Sequence, residues 1–243
     1  MNRSECFRNS LGLVAGFLLC VGLVGHADAG YARSRPQPGA ESGLGITVRV
    51  HDYVGLKRGT LERAESEVTR ILREAGIDTA WVDCPLTAPE LAQYPACLAA
   101  TNLPHIDLNI LPHDMATRMS MPDTTLGFTS LMQDGQRAYE ASMFYDRIRQ
   151  EAESTGGSLA SILGHAAAHE LGHLLLRSSG HSGEGIMRAK WTPDDFRLAS
   201  RGQLLFTSEQ AQVIRAEVST RTRMQKAKAL ALGPSPGVSR LEK

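Results

Sequence analysis

The spacing of apolar and polar residues changes period several times along this chain. Ile46, Val48 and Val50 alternate with Thr47, Arg49 and His51, which predicts a half-buried strand. Leu61, Ala64, Val68, Ile71, Leu72 and Ala75 then recur at three- and four-residue steps, one face of a helix, with Gly76 as its stop. Thr79 to Asp83 reads as a second strand, Pro85 to Pro104 as a loop, and Ile106, Leu108 and Ile110 as a third strand. Thr125 to Met132 and Arg137 to Asp146 flank Asp134-Gly135, a two-residue hairpin signal, and predict an antiparallel pair with one strand at a sheet edge. Gly156-Gly157-Ser158 breaks the chain and caps a long helix that runs to about Arg177. After a loop region, Thr207 and Gln210 form a capping box that opens a helix to about Met224. The strand–helix–strand start implies a right-handed crossover and parallel pairing. The expected fold is therefore mixed α/β, a sheet with one antiparallel strand and a long helix packed against it.

The N-terminus follows a different logic. Arg3 and Arg8 precede an apolar run, Leu11 to Gly25, of 15 residues, and Ala27-Asp28-Ala29 offers a small-x-small cleavage pattern. Residues 1–29 read as a secretory signal, because the run is shorter than the ~20 residues a span needs. An uncleaved anchor is the competing reading. Residues 30–44 form a leader rich in Gly, Pro, Ser and Arg, residues 45–224 the folded domain, and residues 225–243 a disordered tail. Cleavage removes Cys6 and Cys20 and leaves Cys84 and Cys97, an even pair in a chain sent to an oxidising compartment. A disulfide between them is expected, and a cysteine-based metal site is not.

Charge narrows the function. Lys and Arg total 26, as do Asp and Glu, so the 243-residue chain carries no net charge. That argues against a nucleic-acid binder or a basic membrane-surface protein, and no apolar run is long enough for stable membrane insertion once the signal is cleaved.

The chemistry is concentrated between His165 and Met187. His169-Glu170-Leu171-Gly172-His173 places two imidazoles at i and i+4, one turn apart on one helix face, within reach of a single ion. Glu170 is rotated about 100° from His169 and leans over the same place without ligating. Two neutral imidazoles suit zinc, and a neighbouring carboxylate suits a general base. For a third ligand, His165 is four residues before His169, but it and His173 lie ~12 Å apart along one helix axis. His181 is the better candidate, since Gly180 can supply a positive φ that turns the chain back. Asp194, Asp195 and Glu209 are the alternatives, although each is also explained by a turn or a helix start.

The stretch from His169 to Met187, with a third His and Gly185-Ile186-Met187, resembles the metzincin zinc peptidases, most closely their matrixin-like branch. The resemblance implies zinc ligands His169, His173 and His181, base Glu170 and a Met-turn at Met187 beneath the site. It also implies a twisted mixed sheet whose antiparallel edge strand borders the cleft, over an active-site helix, with an irregular C-terminal part and a terminal helix. One departure stands out. The family places Gly three residues after the second His and the third His three later, whereas this chain has Leu176 and Ser179 there, as if two residues were inserted.

The expected function is an exported zinc-dependent metalloendopeptidase with one catalytic Zn2+ and a protein or peptide substrate. Glu170 takes a proton from the attacking water and passes it to the leaving amine. Thr125 to Met132 should bind an extended peptide by strand addition. A zinc hydrolase of cell-wall peptides and a zinc-stabilised binding protein without turnover are the alternatives, the latter disfavoured by the intact Glu170. Trp191 either lines the cleft or plugs the core. Tyr139 and Tyr145 read as sheet packing, and His51 and Asp52 as a strand end. Oligomeric state has no signature in the sequence.

Overall fold

A computed structural model describes residues 43–98, 103–129 and 139–232. The signal segment, most of the leader, Asp134-Gly135 and the end of the tail lie outside the described residues. In chain order the elements are β1 (Gly45–Asp52), α1 (Arg58–Glu74), β2 (Asp78–Asp83), α2 (Ala88–Leu91), α3 (Pro95–Leu98), β3 (His105–Leu111) and α4 (His113–Arg118). Then follow β4 (Gly127–Thr129), β5 (Glu140–Phe144), α5 (Tyr145–Thr155), α6 (Leu159–Leu176), α7 (Pro193–Ser200) and α8 (Ser208–Leu232).

The five strands form one mixed sheet in the order β2-β1-β3-β5-β4. The first four are parallel, and β4 runs antiparallel to β5 with Phe128 opposite Ser142, so the antiparallel strand lies at the edge. Parallel strands need crossovers, and α1 supplies the first of them. Ile46, Val48 and Val50 of β1 and Ile106, Leu108 and Ile110 of β3 share the core with Val68, Ile71 and Leu72 of α1 and Ile162, Leu163 and Ala167 of α6. Fully burying each of the larger of these side chains contributes roughly 1.5–3 kcal/mol. Unlike α1, α6 is buried on nearly every side, from Ala160 through Leu175 with Ser161 only partly covered. Its Ala- and Leu-rich sequence permits this, because a helix apolar all round is stable only inside the protein.

The structure differs from the sequence pattern in several places. β1 is not half-buried: Thr47 and Arg49 are as covered as the apolar face. β1 has a neighbour on each side, and the polar face of the sheet is knitted together, with Asn109 donating to Glu140 Oε1 at 2.6 Å and His51 Nε2 at 3.4 Å from Asp107 Oδ1. Of the expected hairpin strands, the described residues show Gly127–Thr129 and Glu140–Phe144, while residues 130–138 lie outside the described residues. Tyr145 and Asp146 are not strand but the first turn of α5, which buries only Ile148 and Ala152. Two buried positions one turn apart make too weak a signal against the preceding apolar run. The loop after β2 holds α2, capped by Thr87, and α3.

α8 continues past Met224 to Leu232, beyond the expected start of the tail. Ala211, Ile214 and Val218 bury its first half, Ile214 and Val218 in the main core, and polar anchors hold it further along. Arg221 pairs with Glu217 and donates to the Leu174 carbonyl at 2.7 Å, and Gln225 donates to the Leu103 carbonyl at 3.0 Å. The expected Thr207–Gln210 box is present in both directions, at 3.0 and 3.3 Å.

Cys84, just past β2, is bonded to Cys97 in α3, with Cα atoms 5.7 Å apart. Such a bond fits an oxidising compartment. Among the described residues no helix is long and apolar enough to cross a membrane.

Candidate metal centre

The site is built on the C-terminal half of α6. His169 and His173 project from one face with their rings edge to face, centroids 4.8 Å apart. Each Nδ1 lies against a backbone carbonyl, that of Ile186 for His169 at 2.6 Å and that of Ser178 for His173 at 2.7 Å. A carbonyl only accepts, so each Nδ1 carries the ring proton and each Nε2 has a free lone pair. The two Nε2 atoms face each other at 3.1 Å.

The third imidazole arrives by a turn the sequence pattern assigns to the wrong residue. Gly180 does not have a positive φ; Arg177 does, at 53°, as the left-handed C-cap of α6. The Ser178 amide closes on the His173 carbonyl at 3.2 Å, and the Gly180 amide donates to Ser178 Oγ at 3.0 Å. With this turn formed, the His181 ring lies 4.9 Å from that of His173 and 5.4 Å from that of His169. One ligand atom from each of the three imidazoles lies within 4.8 Å of the others.

This donor set fits zinc. Two unprotonated nitrogens at 3.1 Å repel unless a cation lies between them. Tetrahedral zinc with bonds of ~2.05 Å separates its ligand nitrogens by about 3.3 Å. Three imidazole nitrogens leave a fourth position open, as in catalytic rather than structural sites. His169 and His173 are also held in the ligating, neutral form. Burial pushes His169 down to about 4 and His173 below its usual value, against the pull of the carbonyl bonds.

Glu170 lies beside the pair, buried. Burial pushes its carboxyl up to about 7, and a hydrogen bond from Thr129 works against that rise. Thr129 Oγ1 is 3.0 Å from Glu170 Oε2 and 3.2 Å from the Glu170 carbonyl oxygen. The edge strand thus touches the carboxylate directly. The loop that leads into that strand is tied down by Arg147, which donates to the carbonyls of Met121, Pro122 and Thr125 and stacks its guanidinium 4.5 Å above the Phe144 ring. The apolar and polar pattern points to neither Thr129 nor Arg147, because their partners are 41 and up to 26 residues away in sequence.

Beneath the helix, Met187 is buried against Gly172. A Cβ on Gly172 would meet Met187 Sδ at 2.5 Å and the Phe206 ring at 2.7 Å, so only glycine lets the turn approach between the two histidines. Gly185, at φ +69°, begins that turn, and a Cβ there would lie 2.7 Å from the Leu205 carbonyl. The turn closes with Ser182 donating to the Met187 carbonyl at 2.8 Å. Trp191 donates its indole N–H to the Ile186 carbonyl at 3.1 Å, the oxygen that also accepts from His169. Its half-buried ring stands edge-on to both His169 and Phe196.

The remaining candidates lie elsewhere. His165 is fully buried one turn earlier, with Nδ1 at 2.8 Å from the Ser161 carbonyl and Nε2 at 3.5 Å from Glu67 of α1. Asp195 is taken up by its capping box with Thr192 and by Arg188, Asp194 pairs with Arg197, and Glu209 is exposed in the first turn of α8. Among the described residues, none of these three carboxylates joins the histidine group. Asp52 caps the turn after β1 by accepting from the amides of Val54, Gly55 and Leu56. Tyr139 stacks on His105 at the start of β3, and Tyr145 packs on the core.

No protein-family model and no curated protein matches the chain. Among solved structures, it is similar to a zinc-dependent peptidase from Methanocorpusculum labreanum, strain Z, at a TM-score of 0.45 and 15% identity over 70% of this chain and 99% of that one.

Proposed function

We propose that this protein is an exported zinc-dependent endopeptidase of the metzincin type, nearest the matrixin-like branch. The observation that carries the reading is the meeting of His169, His173 and His181 beside a buried Glu170. The three histidines would hold one ion. Zinc bound there supplies a Lewis acid that polarises the scissile carbonyl and stabilises the charge that develops on it.

The chain's own residues do the rest. Glu170 is the base: it takes a proton from the water that attacks the carbonyl and later delivers it to the leaving amine. Among the described residues no strand pairs with the outer edge of β4, and an extended peptide would add there as a further strand beside the site.

The test is zinc content and peptide turnover for the wild type and Glu170→Gln. The expected result is about one zinc per chain in both and turnover in the wild type alone. A wild type that holds zinc and cleaves no peptide in a broad panel would overturn the reading, as would undiminished turnover in Glu170→Gln.

A further inference from the structure

The site has a neighbour that the assignment of three ligands and a base does not use. We propose that the edge strand β4 positions the general base, with Gly127 making room for the side-chain stem of Glu170 and Thr129 holding its carboxylate. This inference rests on the reading of Glu170 as the base.

Gly127 and Thr129 are two apart on one strand, so they face the same way, toward α6. A Cβ on Gly127 would lie 2.8 Å from Glu170 Cγ and 2.7 Å from the Ser142 carbonyl, closer than real Cβ atoms come. Glycine therefore lets the edge strand close onto the glutamate while still pairing with β5, where Gly127 stands opposite Met143. Two residues on, Thr129 turns its hydroxyl to Oε2 at 3.0 Å and to the carbonyl of the same residue at 3.2 Å. The hydroxyl has one proton, and both acceptors belong to Glu170, so either bond ties the edge strand to this one residue.

The consequence is positional. A glutamate has three side-chain torsions, and a carboxylate without a hydrogen bond to fix it samples more of them. The bond to Oε2 restricts that choice and leaves Oε1 free to take the proton. Losing a fixed near-attack geometry lowers the rate without weakening ground-state binding. Thr129 is accordingly a positioning residue, and its effect should fall on kcat.

The same strand is the one proposed to receive substrate. Its backbone edge would face the peptide while its Thr129 side chain faces the base, so a peptide that orders β4 would also order Glu170.

The experiment compares Thr129→Val, which keeps the shape and removes the donor, with Thr129→Ser, which keeps the donor. On a quenched fluorogenic peptide that the zinc-loaded wild type cleaves, Thr129→Val should lower kcat by roughly 10–100-fold with KM within about twofold. Thr129→Ser should restore kcat to within about threefold, and zinc per chain should be the same in all three. A second measurement needs no turnover. In zinc-free protein, Thr129→Val should lower Tm by about 3 °C when residue 170 is Glu and by about 1 °C or less in a Glu170→Ala background. Equal Tm shifts in the two backgrounds, a Thr129→Val enzyme with wild-type kcat, or a loss that appears in KM alone would overturn the proposal. A wild type without peptide turnover would overturn the peptidase reading instead, and the Tm comparison would then decide the Thr129–Glu170 contact by itself.

Discussion

The Nδ1 of His169 is tied to the carbonyl oxygen of Ile186, 17 residues further along the chain, at 2.6 Å. That bond joins the first of the two helical site histidines to the turn beneath it. The turn sets the tautomer and the aim of the ring, so the geometry of the site depends on a backbone carbonyl that no side-chain motif encodes.

The turn itself depends on Gly185, whose positive φ and closeness to the Leu205 carbonyl exclude a side chain. Gly185→Ala should therefore displace the Ile186 carbonyl. The expected effect is about a tenfold loss of zinc affinity with His169 and His173 intact. Competition against a chromophoric chelator measures it, and unchanged affinity would show that the turn does not aim His169.

His181 and His165 make opposite predictions. His181→Ala should lose zinc on dialysis against a weak chelator, because it leaves two ligands where three are needed for a stable open site. His165→Ala should retain zinc and lose stability instead, since its side chain is fully buried between α6 and α1. Metal analysis and thermal unfolding of both variants in parallel check the pair.

Glu170 makes a pH prediction for the zinc-free protein. Its carboxyl is raised in the folded state from 4.5 to about 7. Below pH 4.5 it is protonated whether the chain is folded or not, and the group costs nothing. As pH rises, the unfolded state ionises first, so stability falls and the loss is complete once pH passes about 7. The full loss is about 3 kcal/mol, which Glu170→Gln escapes. The burial of His169 works in the other direction, its contribution falling away as pH drops toward 4, but it is common to both proteins and cancels in the difference. Urea unfolding in the presence of EDTA should show Glu170→Gln gaining on the wild type from pH 4.5 to 8. Parallel curves would contradict the buried carboxyl.

Arg177 occupies a left-handed conformation that costs a non-glycine residue roughly 1–2 kcal/mol. It is exposed, so glycine there removes no core packing. Arg177→Gly should raise stability by up to about 1 kcal/mol, the relief of strain being partly offset by a freer unfolded chain. Equilibrium unfolding measures it, and a destabilised variant would mean that the side chain contributes contacts of its own.

Much of the chain was legible before any tertiary contact was known. A period of two located β1 and β3, a period of three to four located α1, and the Gly156-Gly157-Ser158 break located the start of α6. α5 and the end of α8 were not legible. The first buries only Ile148 and Ala152, and the second is anchored by Arg221 and Gln225 to carbonyls at Leu174 and Leu103. Bonds from side chains to distant backbone leave no periodic trace.

The sequence by itself determined that His169, Glu170 and His173 share one helical turn, since a helix of fixed pitch converts their spacing directly into position. It also pointed to Cys84 and Cys97 as partners, which the structure bonds. Only the tertiary structure decided that Arg177 rather than Gly180 turns the chain toward His181, that the carbonyls of Ile186 and Ser178 hold the ring protons, and that Thr129 reaches Glu170. The reason is the range of the interactions. Helical spacing is local and repeats, whereas the tautomer of a histidine and the partner of a buried carboxylate depend on which distant strand or turn packs against them.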